Sequence, residues 1–337
     1  MKIKELLRHL ERIAPPFYQE SYDNAGLIVG DSAAMCTSAL LCLDSTEAVI
    51  EEAIRKNCNL VIAHHPIVFR GLKKITGKNY VERTVLKAIK NDVAIYAIHT
   101  NLDNVFRKGV NQKFAERLGF TDLQILAPKQ VLKKLVTWTT GGQAEKLQQT
   151  LLECGAFQPT IIRTDAASPI RLEMIFPEVA KNAVVEALFK NHPAGQPVFD
   201  ILPTENVYPE IGSGMLGSLQ MPMSEEAFLK MVKKQMRAGC VRHTQLLGRQ
   251  VSKVAICGGS GGFLLPNAIA AGADVFITAD YKYHEFFDAD GKIVIADIGH
   301  YESEQFTIQL LFDILSEKFP TFALHLTEVN TNPVRYL

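Results

Sequence analysis

Apolar positions along the chain fall into two periods. Ile3, Leu6, Leu7, Leu10 and Ile13 recur at helical spacing until Pro15-Pro16 stops the pattern. A short unbroken run at 39–43 predicts a buried strand; it ends in Asp44-Ser45-Thr46 and leads into an amphipathic helix over 47–56. A second run, 60–63, ends in His64-His65-Pro66. A helix is predicted over 80–91, and a third run at 93–98 ends in His99-Thr100-Asn101-Leu102-Asp103. The same texture returns late in the chain. Residues 254–257 run into Gly258-Gly259-Ser260-Gly261-Gly262 and a helical stretch at 263–271. Residues 275–278 end in Ala279-Asp280, and 293–296 end in Asp297-Ile298-Gly299-His300, ahead of a long helix through Leu310, Leu311 and Leu315. Strand-like runs alternating with helical patterns predict an α/β protein with βα-rich halves and largely parallel sheet.

Between the halves the texture changes. The pattern reads as strand over 132–140, helix over 144–154, strand over 172–176, helix over 179–191 and a short strand near 197–202. This ferredoxin-like alternation, bounded by Pro128 and a loop at 203–217, predicts an α+β domain over 129–205 inserted into a scaffold made by 1–128 and 206–337. The insert carries few His or Asp in suggestive places, which points to regulation or assembly rather than chemistry.

Composition narrows the class. A chain of 337 residues exceeds what one core usually serves, in keeping with two domains. Its 36 Lys+Arg balance 36 Asp+Glu, and zero net charge argues against a nucleic-acid binder, which needs a basic face. The six cysteines are scattered with no C-x-x-C pair, so free buried thiols are expected rather than disulfides or a thiolate zinc site. No run approaches 18 apolar residues and the N-terminal pattern is helical and charged, so a soluble, cytoplasmic protein with no membrane partner is expected.

In parallel sheets ligands bind beyond the carboxyl ends of the strands. The residues there are His64 and His65, His99 and Asp103, and His300, with Glu304 four positions further on the same helical face. Imidazole and carboxylate suit zinc, iron, manganese and cobalt. Side chains of successive residues diverge, so His64 and His65 suit two neighbouring ions better than one. One allocation gives His64 and Asp103 to one ion, His65 and His300 to the other, with Glu304 bridging and open positions left for water. His99 fits a ligand, a supporting or a substrate-facing role equally. His9, His192, His243 and His325 lie in no such setting. The glycine-rich turn from Gly258 to Gly262 could cradle a phosphate with its amides, or be only a tight turn needing glycine.

Together Tyr22-Asp23-Asn24-Ala25-Gly26-Leu27, Ala63-His64-His65-Pro66, His99-Thr100-Asn101-Leu102-Asp103, the turn after Cys257, Thr278-Ala279-Asp280-Tyr281-Lys282-Tyr283-His284 and Gly299-His300-Tyr301-Glu302-Ser303-Glu304 carry a family resemblance. They resemble the dinuclear-metal family labelled GTP cyclohydrolase 1 type 2 homologues, or NGG-interacting-factor-three-like proteins. The resemblance implies two divalent metal ions per chain, zinc first, with iron, manganese or cobalt as alternatives, held by His64, His65, Asp103, His300 and Glu304. It implies a toroidal homohexamer with metal sites facing an internal cavity, and a PII/CutA-like fold for the insert. Asp280 and His284 match a motif near the site, implying supporting or substrate contacts for them. The label implies a hydrolase acting on a nucleotide-like or other small substrate, of the GTP ring-opening type. A non-catalytic regulatory or metal-handling ring is the alternative. The sequence departs from the family at Met215, where relatives carry Arg, and in the insert, which looks short around 163–171 and reads His192-Pro193-Ala194-Gly195 where an acidic, Tyr-containing motif is usual.

Overall fold

Apolar spacing sets the first elements, α1 (Ile3–Ile13), β1 (Gly26–Val29), β2 (Ala39–Asp44), α2 (Glu47–Arg55), β3 (Leu60–His65), α3 (Tyr80–Lys90) and β4 (Ala94–Ala97). They are followed by α4 (Thr100–Asp103), α5 (Val110–Leu118) and β5 (Thr121–Lys129). The computed structural model describes every residue of the chain except 164, 166 and 167. Strands β2, β3 and β4 are parallel, and β1 pairs antiparallel with β4. Their sequences are almost continuously apolar because helices cover the sheet. Val49, Ile50 and Ala53 of α2 and Val85 and Ala88 of α3 cluster with Leu40, Val61 and Ile95. Each such Val, Leu or Ile side chain, fully buried, contributes roughly 1.5–3 kcal/mol of hydrophobic stabilisation.

The next stretch holds β6 (Leu132–Thr139), α6 (Ala144–Glu153), β7 (Phe157–Ile162), β8 (Ile170–Pro177), α7 (Lys181–Asn191) and β9 (Phe199–Pro203). These strands form one antiparallel sheet in the order β7-β8-β6-β9. Leu135, Leu172, Met174 and Phe176 pack there against Leu147, Leu151, Val184 and Leu188 of the two helices. Periodicity misses β7, a mostly exposed edge strand that contains Pro159 and shows no apolar alternation.

The chain then forms β10 (Tyr208–Ser224), α8 (Glu225–Gln235), β11 (Arg242–His243), β12 (Gln250–Ser260), α9 (Leu265–Ala270), β13 (Val275–Ala279) and β14 (Val294–Asp297). It closes with α10 (His300–Glu304), α11 (Thr307–Lys318) and β15 (Leu324–Leu326), the last pairing parallel with β2 in the first sheet. The loop expected at 203–217 is corrected here: from Tyr208 onward it is strand. Its glycines read as loop but serve close packing. A Cβ on Gly217 would lie 2.9 Å from Leu123 Cδ2, and Gly214 has φ +66°. The second sheet runs β11-β14-β13-β12-β10-β5, with β12, β13 and β14 parallel. Phe114 of α5 with Phe228 and Val232 of α8 clusters with Val254, Ile256, Ile277 and Val294. Leu265 and Ala268 of α9 cluster with Ala255, Phe276 and Ile295, which alternate to the other face.

Met1–Ala127 and Gly212–Leu337 make one compact unit, and Pro128–Ile211 makes another. Within the first unit the two sheets repeat one arrangement. Consecutive parallel strands, β2-β3-β4 or β12-β13-β14, end in β4 or β14, which carries an antiparallel edge partner and runs into a single helical turn. His99 and Asp103 flank one turn and His300 and Glu304 the other, at the same four-residue spacing. Cys36, Cys42, Cys58 and Cys257 are buried free thiols, whereas Cys154 is half-buried and Cys240 exposed. Among the described residues no helix is long and apolar enough to cross a membrane.

Candidate metal centre

Five of the candidate residues converge where the two sheets deliver their strand ends. Ligand-type atoms of His64, Asp103 and Glu304 group within 4.8 Å of one another, and so do those of His65, His300 and Glu304. Glu304 Oε2 lies 2.9 Å from His65 Nε2, 3.1 Å from His300 Nε2 and 3.8 Å from His64 Nε2. The Nε2 atoms of His65 and His300 are 3.3 Å apart. His99 joins His64 and His65 in a third group within the same limit.

Each imidazole is held from behind. His64 Nδ1 donates to the Ile98 carbonyl at 2.8 Å, and His65 Nδ1 donates to Asp44 Oδ1 at 2.7 Å. His300 Nδ1 donates to Asp280 Oδ2, and His99 Nδ1 to Asp23 Oδ1, both at 2.7 Å. With Nδ1 committed as donor, Nε2 of every ring is turned into the cluster. Metal-binding histidines are oriented in this way. Asp280 sits directly after β13 at φ +60°, a conformation Asp tolerates better than most residues. Asp23 also accepts from the Thr100 amide and hydroxyl, which fixes it beneath His99.

Charge is concentrated in a buried place. His64 is fully buried and Glu304 is 3% exposed. Burial and the Glu304 charge push Asp103 up to about 8. Burial alone would lower His65, but the carboxylates of Asp44 and Glu304 outweigh it and push it up to about 9. The Glu304 charge prevails over burial at His300 and, with Asp280, raises it to about 11. Burial would raise Glu304, yet His300 and His65 hold it well below the carboxylate range. His64 Nε2 and Asp103 Oδ1 are buried and make no hydrogen bond among the described residues. Leaving such atoms bare costs about 1–3 kcal/mol each, a cost that a cation between them removes. An all-nitrogen-and-oxygen donor set with two orphaned atoms therefore fits divalent metal.

The glycine-rich turn takes part sterically. Gly258, Gly259 and Gly261 donate their amides to Asn111 Oδ1, Ser303 Oγ and Thr278 Oγ1, so these donors are already used inside the protein. A Cβ on Gly259 would lie 2.4 Å from Glu304 Oε1, and Gly259 has φ +63°. Glycine is needed here because the carboxylate lies against the backbone.

The cluster opens into a cavity of about 720 Å³, within the usual size of a small-molecule site. Tyr22, Phe69, Phe263, Arg242 and Tyr336 line it, with Asp280 and His99. His284 does not join: it is exposed, packs on Tyr283 and Phe287, and is not part of this lining. Sequence reasoning missed Asp23 and Asp44. Asp44 had a signal, since it ends β2 as His65 ends β3.

The family model described as Duf34/NIF3 (NGG1p interacting factor 3) matches residues 1–333. Curated proteins called GTP cyclohydrolase 1 type 2 homolog are similar along the full length. That of Staphylococcus epidermidis is 32% identical with 100% of each chain covered, and that of Halalkalibacterium halodurans 33% identical with 98% of each covered. Among solved structures, a Bacillus cereus protein related to NIF3 aligns with TM-score 0.84 and 30% identity, covering 100% of this chain and 99% of that one.

Proposed function

The chain belongs to the Duf34/NIF3 family, and from that premise we propose that the cluster holds two divalent metal ions per chain and serves a metal-dependent hydrolase. The carrying observation is that His64, His65 and His300 each commit Nδ1 to an acceptor and turn Nε2 towards Glu304. In this reading His64 and Asp103 hold one ion, His65 and His300 the other, and Glu304 both. A metal pair bound there would supply Lewis acidity and lower the pKa of water. Three protein ligands per ion leave room for a substrate, as in catalytic rather than structural sites. The cavity admits a nucleotide-like or other small molecule, and His99, steadied by Asp23, faces it. GTP-type ring opening is the finer reading, supported by the relatives' names. Zinc suits the donor set, and iron, manganese or cobalt would also be accepted.

The unit Pro128–Ile211 is read as an inserted ferredoxin-like module of the PII/CutA type. Its β-α-β-β-α-β order and β7-β8-β6-β9 sheet support that reading. A cytoplasmic homohexameric ring completes the proposal. Native mass spectrometry of the purified protein is expected to count two metal ions per chain and six chains per assembly. Full metal content in a His65→Ala, Glu304→Ala double variant would overturn the ligand assignment. Absence of turnover with every metal, against nucleotides and phosphoesters, would replace the hydrolase by the metal-handling ring.

Gly259→Ala provides a second check. The added methyl must displace the Glu304 carboxylate, so metal affinity is expected to fall by about tenfold or more, the scale of disturbing a ligand's support. Metal retained after dialysis against a chelator measures it, and wild-type retention would contradict the role given to the turn.

A further inference from the structure

Beyond β15 the chain has no regular secondary structure, yet residues 327–335 are tied down at several points. Thr327 donates its amide to the Leu41 carbonyl at 3.0 Å, and Glu328 donates its amide to Glu52 Oε1 at 2.9 Å. Thr331 Oγ1 donates to Asp44 Oδ2 at 2.5 Å. Asn332 Nδ2 donates to Glu302 Oε1 at 3.0 Å. The segment also stiffens itself, with the Val334 amide on Asn332 Oδ1 at 3.0 Å. The Tyr336 ring lies so close to Gly239 that a Cβ there would come within 2.4 Å of it.

Two adjacent residues thus reach to different sheets. Asp44, the partner of Thr331, ends β2 of the first sheet and holds His65 Nδ1 through its other oxygen. Glu302, the partner of Asn332, lies in α10, between His300 and Glu304, beyond the last parallel strand of the second sheet. Its carboxylate packs against Gly299, where a Cβ would lie 2.3 Å from Glu302 Oε2. We propose that residues 330–336 form a brace across the two sheets that sets the separation of His65 and His300, with Thr331 and Asn332 as its positioning residues. The brace acts through the spacing of His65 and His300, so it bears on metal affinity at the His65–His300–Glu304 site. His64, at the other site, leans instead on the Ile98 carbonyl. The inference rests on the metal reading given above.

Single-site backgrounds make it testable on the full chain. Asp103→Ala leaves the His65–His300–Glu304 site, and His300→Ala leaves the His64–Asp103–Glu304 site. Zinc affinity is measured by competition with a chromophoric chelator, alongside the melting temperature of the metal-free protein. On the Asp103→Ala background, Thr331→Val and Asn332→Ala are each expected to raise the zinc Kd about tenfold or more, within the range seen for lost outer partners. Thr331→Ser is expected to restore it. On the His300→Ala background the same changes are expected to leave the Kd within about twofold, a difference too small to mark a lost outer partner. Unchanged Kd on the first background would overturn the brace. An equal rise on both, with a lowered metal-free melting temperature, would overturn it too, since the segment would then act only on stability. If the wild-type chain and both backgrounds fail to bind zinc, the metal reading itself falls and takes the brace with it.

Discussion

Glu304→Gln is expected to empty both halves of the metal centre in one step. Gln keeps the length and shape of the side chain, so its packing against Gly258 and Gly259 is preserved while the charge is lost. Among the described residues Glu304 is the member shared by the His64–Asp103–Glu304 and His65–His300–Glu304 groups, and its Oε2 faces His65, His300 and His64. An amide oxygen is a far weaker partner for a divalent ion than a carboxylate. Affinity at both sites should fall by at least about a hundredfold, beyond the ~10–100-fold typical of an outer partner. Asp103→Asn, by contrast, should weaken one site and spare the other. Stepwise zinc titration of the two variants separates these outcomes. One ion held by Glu304→Gln at wild-type affinity would end the shared-carboxylate assignment.

The cluster of His, Asp and Glu side chains was legible because a single rule reaches it. His64-His65, the His99–Asp103 stretch and His300 each follow an apolar run, and a strand end in a parallel sheet is where chemistry collects. The helical four-residue spacing then put Glu304 beside His300, as the structure has it. The supports of those residues were less accessible. Asp44 obeyed the same rule, but its neighbour Thr46 caps α2, and an Asp in such a run reads as part of the cap. Asp23 lies in a stretch with no period, and its partner His99 is 76 positions away. Thr331 meets Asp44 across 287 positions, a pairing that no local pattern encodes. His284 shows the opposite failure: its motif suggested proximity, but the short helix it occupies turns it to solvent. Among the elements, α1, α2, α3, α6, α7, α9 and α11 and the central strands followed from periodicity, whereas α5, α8, β1 and β5 were not read from it. β7 and β10 did not follow either, because proline and glycine read as loop where an edge strand tolerates the one and close packing requires the other.

Metal affinity is expected to climb steeply with pH, and more steeply at one site than at the other. Without metal, Asp103 is pushed up to about 8, His65 to about 9 and His300 to about 11. At pH 7 all three therefore hold protons, and each must lose its proton to bind an ion. Each displaced proton steepens the apparent affinity by about tenfold per pH unit. Of these raised groups, two belong to the His65–His300–Glu304 site and one to the His64–Asp103–Glu304 site. From pH 6 to 8 the first should gain up to about a hundredfold per unit and the second about tenfold, levelling above Asp103's value near 8. Stability of the metal-free protein carries the opposite sign. An unfolded Asp or His releases its proton near 3.9 or 6.5 respectively, at about its ordinary value. The folded metal-free cluster thus binds more protons than the unfolded chain, and its stability falls as pH rises from 6 to 9. Asp23, lowered to about 2, and Asp44 and Asp280, also lowered, are ionised in both states across this window and leave the slope unchanged. Metal expels the protons and cancels that loss. The gap in melting temperature between metal-loaded and metal-free protein should therefore widen from pH 6 to pH 9, and calorimetry at fixed free zinc would record it. Parallel melting curves over that range would mean that metal binding displaces no protons, and that the raised imidazoles and Asp103 are not its ligands.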